Sequence, residues 1–385
     1  VIYLDNAATT PMLTEAWQKM QPWSSGNLIG NPSSLHSAGR AARNAVREAR
    51  VSVANLIGAR SVDEVIFTSG GTESDNLALR GLAPYLKKSG RNGIAVSAIE
   101  HHAILNQCSL LSDLGMGIYI IPVDSDGLVD IDGLKRTLEK SSVGLVSVML
   151  ANNETGVVQI NMDAIAEICH KNGALLHTDA VQAVGHMDID VKELGVDMLS
   201  LSGHKFGGPD GIGALYVQSK VMEQMSPIIL GGGQERGNRA GTENVAAIVG
   251  LGAASKIVQS YELPKYSLGL RQLFIECLRG YDVDFIVNSD NVHHLSNILS
   301  LTFLNVGAEA LLRLMDADGV CMSAASACSA GSLSPSHVLT AMGRSPEYAR
   351  STIRVSFGAY TTKMEVEEAA TMLAKNVLRL RSMCG

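Results

Sequence analysis

Between about residue 65 and residue 217, short β-rich apolar runs alternate with segments of helical period, and this alternation constrains the fold more than any other feature. The runs are Val65–Thr68, Ile94–Ser97, Ile118–Ile121, Leu145–Val148, Ala174–His177 and Met198–Leu201. Strands separated by helix-length segments predict a mainly parallel sheet covered on both faces. Ligands of such sheets sit beyond the carboxyl ends of the strands, so the residues that follow each run are the ones to inspect.

Those residues are polar and reactive. After the first run comes Ser69-Gly70-Gly71-Thr72-Glu73-Ser74, glycines leading into a helix, where free N–H groups and the positive helix end favour a phosphate. After the second stands Glu100-His101-His102-Ala103, after the fourth Ala151-Asn152-Asn153-Glu154, and after the fifth Thr178-Asp179-Ala180-Val181-Gln182. The sixth run leads into Ser202-Gly203-His204-Lys205-Phe206-Gly207-Gly208. Partial burial among small residues would lower the pKa of Lys205 and leave room for a flat ring, which suits an imine-forming lysine. Ser202 and His204 add polar groups for a phosphate.

A lysine, an acid, a phosphate cradle and space for a ring are the parts a pyridoxal phosphate enzyme needs. Asp179 would pair with the pyridine nitrogen; its plainer reading is a helix N-cap. His101 would stack on the ring or serve as a polar loop histidine. Asn153 and Gln182 suit the ring hydroxyl or a substrate, or else satisfy loop backbone.

Composition narrows the field. A length of 385 residues and 46% apolar content predict two or three domains with a large buried core. Net charge of -7 and 4% aromatic residues argue against nucleic acid as the main partner. Arg40, Arg43, Arg47 and Arg50 recur at helical spacing in a helix expected from about Ala38 to Ile57, and read as a solvated face rather than a docking stripe. No apolar run approaches the ~18 residues of a membrane span, and no signal-peptide pattern opens the chain, so the expectation is a cytoplasmic protein. The missing initiator Met suggests a numbering that starts slightly inside the natural chain. Six scattered cysteines without C-x-x-C suggest neither a disulfide framework nor a zinc site.

The remaining third opens on the turn-rich loop Gly231–Asn244 and a helix from about Asn244. It continues as a mixed α+β segment with a strand at Ile298–Phe303 and a terminal helix over 363–381. Inside it, Ser323-Ala324-Ala325-Ser326-Ala327-Cys328-Ser329-Ala330-Gly331 reads as a mobile loop around a thiol. Cys321 reads as a buried strand residue rather than a relay thiol.

Taken together, Gly70-Gly71-Thr72-Glu73-Ser74, Glu100-His101-x-Ala103, Asn152-Asn153-Glu154, Asp179-Ala180-x-Gln182, Ser202-Gly203-His204-Lys205, Gly231-Gly232-Gly233-Gln234-Glu235-Arg236-Gly237 and Ser326-Ala327-Cys328 resemble the cysteine desulfurases of NifS/IscS type. The resemblance extends from Tyr3-Leu4-Asp5-Asn6 to Ile353-Arg354-Val355. It implies a fold-type I pyridoxal phosphate homodimer: an N-terminal segment 1–15 packing with the small domain, a large domain 16–257 with a mainly parallel seven-stranded sheet, and a small α+β domain 258–385 carrying the cysteine loop.

It also implies roles. Lys205 matches the imine lysine and the proton-abstracting base, His101 the ring-stacking histidine, Asp179 the pyridine partner and Gln182 the ring-hydroxyl partner. Gly71 belongs to the cofactor-binding stretch, and Thr72, Ser202 and His204 match phosphate ligands. Thr242 matches the residue that reaches the neighbouring subunit's phosphate. Asn153 and Arg354 match the carboxylate grip on L-cysteine, and Cys328 the sulfur acceptor. An unperturbed thiol is only roughly a tenth ionised near pH 7.5, so Cys328 calls for a neighbour such as Arg354 or His101.

The implied activity converts L-cysteine to L-alanine and leaves a persulfide that passes to an acceptor protein. Iron–sulfur assembly, tRNA thiolation, cofactor synthesis and DNA sulfur modification all use this chemistry. The chain stops at Met383-Cys384-Gly385, without the extended tail of IscS-type enzymes, which counts against a housekeeping cluster-assembly role. Selenocysteine lyase or another enzyme of the same fold is the nearest alternative, and an inactive partner-binding platform the one from a different class.

Overall fold

The computed structural model describes residues 1–260, 262–324 and 335–384. Strand β1 (Ile2–Tyr3) opens the chain and pairs in parallel with β11 (Val320–Cys321). The central sheet contains β2 (Val65–Thr68), β3 (Gly93–Ser97), β4 (Gly117–Ile121), β5 (Val143–Ser147), β6 (Leu175–Asp179), β7 (Met198–Ser202) and β8 (Gly213–Val217), in the order β2-β8-β7-β6-β5-β3-β4. Every residue of β2, β3, β5, β7 and β8 is buried, because helices cover both faces; this is why these strands read as unbroken apolar runs instead of alternating ones.

The six runs singled out in the sequence are β2 to β7. The remaining strand, β8, inserts antiparallel between β2 and β7. The carboxyl ends of β2, β3, β5, β6 and β7 therefore lie on one edge.

The second sheet is antiparallel, β12 (Ser323–Ala324), β13 (Thr352–Ser356), β10 (Ile298–Thr302) and β9 (Ile286–Val287) in that order. It packs on helices Leu263–Arg279, Ala308–Ala317 and Lys363–Cys384 around Phe274, Phe303 and Phe357, each fully buried. A separate apolar core lies around the central sheet. The N-terminal segment bridges the two: Ser356 N–H donates to Leu4 O at 2.8 Å, and Thr10 N–H donates to His204 O at 2.9 Å.

The arginine stripe is the solvated face expected at three of its four positions: Arg40, Arg43 and Arg47 are exposed, and Arg50 is buried. In helix Ser37–Leu56, Arg40 donates to Leu35 O and Arg43 to Pro32 O and Ser34 O, while Arg50 is buried on Glu235. The preceding Asn-Pro loop and the distant glycine-rich loop supply those acceptors. Cys321 is half-buried on β11.

Candidate active site

A cavity of about 370 Å³ opens at the carboxyl edge of the central sheet. Gly71, Thr72, His101, Asn153, Asp179, Gln182, Ser202, His204, Lys205 and Arg354 all line it. Thr242 does not; it is exposed on the loop before helix Val245–Val258. Cys328 lies outside the described residues.

Each lining residue follows from its place in the fold. Gly70 has φ 152° and ψ -176°, a region essentially confined to glycine, and turns β2 into helix Gly71–Lys88. Among the described residues no side chain caps that helix, and Gly71 and Thr72 of its first turn line the cavity beside Ser202 and His204. This suits an anion. A Cβ on Gly71 would come within 2.5 Å of Val181 Cγ2, so the backbone reaches the cavity wall only as glycine.

Asp179, at the end of β6, is buried and accepts from Val181 N–H at 2.9 Å. Burial pushes its carboxyl up to about 6, against the pull of that N–H and of the Lys205 charge. Asp75 also lines the cavity, from the helix that starts at Gly71, and is pushed well above the ordinary range by burial first and by the Asp179 charge second. Asp75 Oδ1 lies 3.7 Å from His177 Nε2, and His177 is held between Ser147 Oγ at 2.9 Å and Ser200 Oγ at 3.0 Å. Both carboxyls are raised by burial; Asp179 is offset by a backbone donor and the Lys205 charge, Asp75 by the Ser200 hydroxyl alone.

His101 caps helix His102–Asp113 by accepting from Ala103 N–H at Nδ1, 3.1 Å away. That acceptor role places the proton of the neutral ring on Nε2. Burial, then the Lys205 and His102 charges, lower its pKa to about 4, so a flat uncharged imidazole lines the cavity at neutral pH. Lys205 Nζ donates to Ala7 O at 2.7 Å and Ala8 O at 2.8 Å, and Gln182 Nε2 donates to Ala7 O at 2.9 Å. The turn at Ala7 and Ala8 in the N-terminal segment thus closes one side of the cavity.

Arg354 is 2% exposed and comes from β13 of the second sheet. Its Nη1 donates to Asn153 O and its Nη2 to Asp5 Oδ1, both at 2.8 Å, and its buried Nε has no acceptor among the described residues. A buried guanidinium with a donor left over suits a carboxylate ligand. Sequence reasoning passed over Asp75, Asp5, Ala7 and Ala8; Asp75 could have been found as the acid one helical turn inside the glycine-led helix, whereas the backbone carbonyl acceptors of Ala7 and Ala8 carry no side-chain signal.

Residues 2–368 match the family described as Aminotransferase class-V. The chain belongs to the class-V aminotransferase family. Within it, the NifS/IscS-type cysteine desulfurases are its relatives. It is 43% identical to a protein of Dictyoglomus turgidum named cysteine desulfurase IscS, over 99% of this chain and 96% of that one. Among solved structures, a NifS-like protein superposes with TM-score 0.89 at 34% identity, covering 98% of this chain and 99% of that one. A structure titled SspA in complex with cysteine superposes with TM-score 0.82 at 36% identity, covering 94% and 100%. This class-V member therefore shares its α/β architecture with its relatives as well as its sequence.

Proposed function

We propose that the protein is a pyridoxal phosphate-dependent cysteine desulfurase, and the observation that carries this reading is the convergence of Lys205, Asp179, His101 and Arg354 on one cavity beside an uncapped helix N-terminus. The residues fit the cofactor. Gly71, Thr72, Ser202 and His204 would hold its phosphate, His101 would cover its ring, Asp179 would face the pyridine nitrogen and Gln182 the ring hydroxyl. When bound, the cofactor supplies an electron sink next to the substrate α-carbon.

The chain does the rest. Arg354 and Asn153 hold the substrate carboxylate, which orients the α-hydrogen. The Lys205 amine removes that proton and later returns one, a task that partial burial favours. Neutral His101 excludes water from one face without adding charge. The Cys328 thiolate attacks the substrate sulfur: an S–S bond forms, the substrate C–S bond breaks, and the carbon side gains the electron pair and protons. L-Cysteine and the Cys328 thiol thus become L-alanine and a Cys328 persulfide.

In the same reading the protein is a cytoplasmic homodimer that hands this sulfur to an acceptor protein, with domains at 16–257 and 258–385 and the first 15 residues packed on the smaller one. Thr242 reaches the partner subunit's phosphate, a role supported by its exposure and by a loop pinned through Glu235 to Arg50 and through Arg239 to Glu73. Among the described residues, no helix is long and apolar enough to cross a membrane.

Single turnover with L-cysteine tests the assignment, on wild type and Cys328→Ala, following cofactor absorbance and alanine together. Wild type is expected to release alanine and hold a persulfide while the variant changes its spectrum and stalls. Alanine release by the variant at the wild-type rate would remove Cys328 as acceptor, and a protein that takes up no cofactor would remove the whole reading.

A further inference from the structure

The Arg354 guanidinium is held from two directions. Asn153 O takes Nη1, and the Asp5 carboxylate takes Nη2 through Oδ1. The other Asp5 oxygen, Oδ2, accepts from Ser323 Oγ at 2.8 Å. Asp5 itself is fixed by its neighbours: Leu4 O and Asn6 N–H both bond the backbone of Ser356, two residues along the strand from Arg354. A segment from the opposite end of the chain therefore supplies a carboxylate whose two oxygens are both committed, one of them to the arginine that lines the cavity.

We infer that Asp5 is a positioning residue for carboxylate recognition, its Oδ1 setting the plane and direction of the Arg354 fork. The inference rests on the reading of Arg354 as the substrate-carboxylate ligand. Two effects compete when Asp5 is changed. Losing its negative charge strengthens the attraction between Arg354 and an incoming carboxylate; losing the acceptor lets the fork turn about its remaining tether at Asn153 O. Alignment outweighs charge here, because a guanidinium grips a carboxylate through two parallel N–H groups and a rotated fork offers one. The charge is also the smaller loss in Asp5→Asn, whose amide oxygen still accepts from Nη2.

The test is calorimetric binding to the pyridoxal phosphate-loaded protein of L-alanine and of ethylamine, which is L-alanine without its carboxylate. Asp5→Ala is expected to weaken L-alanine about tenfold and leave ethylamine within about twofold, while Asp5→Asn stays within about threefold of wild type for both. Ser323→Ala keeps the ion pair and frees only Oδ2, and is expected to weaken L-alanine by about twofold to threefold with ethylamine unchanged. It carries the test should Asp5→Ala not fold. L-Alanine binding to Asp5→Ala as tight as wild type, or tighter, would overturn the inference, as would a parallel loss of both ligands. Turnover of L-cysteine is scored separately: selective loss of L-alanine in a protein that does not desulfurate cysteine keeps this inference and removes the desulfurase reading.

Discussion

Arg50 and Glu235 face each other through two N···O contacts of 2.6 Å, buried between the helix Ser37–Leu56 and the glycine-rich loop. The guanidinium also lies 4.5 Å over the Phe67 ring, and Phe67 N–H donates to the same carboxylate. Glu235 and Arg236 have φ of 45° and 58°, a left-handed pair without glycine that costs on the order of 1 kcal/mol or more per residue and persists because these contacts over-determine it. Glu235→Gln breaks a buried pair and is expected to destabilise the protein by about 3–5 kcal/mol in urea denaturation. Replacing both partners by apolar residues of similar volume is expected to recover most of that loss. A single variant as stable as wild type would show that the pair does not hold the loop.

Asp179 gives a pH signature. Its folded pKa of about 6 lies above the unfolded value of about 3.9. The protonated form is thus favoured by folding, and its stabilising contribution is full below about pH 4 and lost as pH rises through about 6, leaving a cost of about 3 kcal/mol at pH 8. In the cofactor-free protein Asp179→Asn is expected to raise stability at pH 8 and to make no difference at pH 4. Denaturation curves at the two pH values decide it, and a gain at both would point to packing instead.

His101 moves in the opposite sense. Its pKa is lowered to about 4 against about 6.5 when unfolded, so the fold disfavours its charged form and loses stability as pH falls from about 6.5 towards 4. By NMR, its ring protons are expected to show no titration step between pH 5 and pH 8. A step near 6.5 would mean a ring open to water and a poor cover for a cofactor.

Gly71→Ala drives a methyl into Val181, whose Cγ2 would lie only 2.5 Å away. The wall between β2 and β6 must then shift, and affinity for pyridoxal phosphate is expected to fall about tenfold by fluorescence titration. Val181→Ala in the same chain removes the obstructing methyls and is expected to restore most of the affinity. An affinity unchanged in the single variant would place the phosphate elsewhere than the start of the Gly71 helix.

Much of this was legible before any coordinates. The alternation of buried runs and helical segments implied a mainly parallel sheet, and such a sheet gathers whatever follows its strands on one edge. Gly71, Thr72, His101, Asn153, Asp179, Gln182, Ser202, His204 and Lys205 meet there for that reason. Arg354 needed the family resemblance, since nothing local sets β13 beside the Asn153 loop. The antiparallel β8 was missed because a strand buried on both faces carries no mark of its direction.

What the sequence by itself determined is the set of reactive groups and the edge on which they stand, because both follow from spacing along the chain. Only the tertiary structure decided how those groups are held and charged. Asp5 reaches Arg354 across 349 positions and Arg50 reaches Glu235 across 185, through long-range packing that no local pattern records. Nor could spacing reveal that Asp75 and Asp179 share one buried floor, where the low dielectric makes two like charges costly and raises the pKa of both carboxyls.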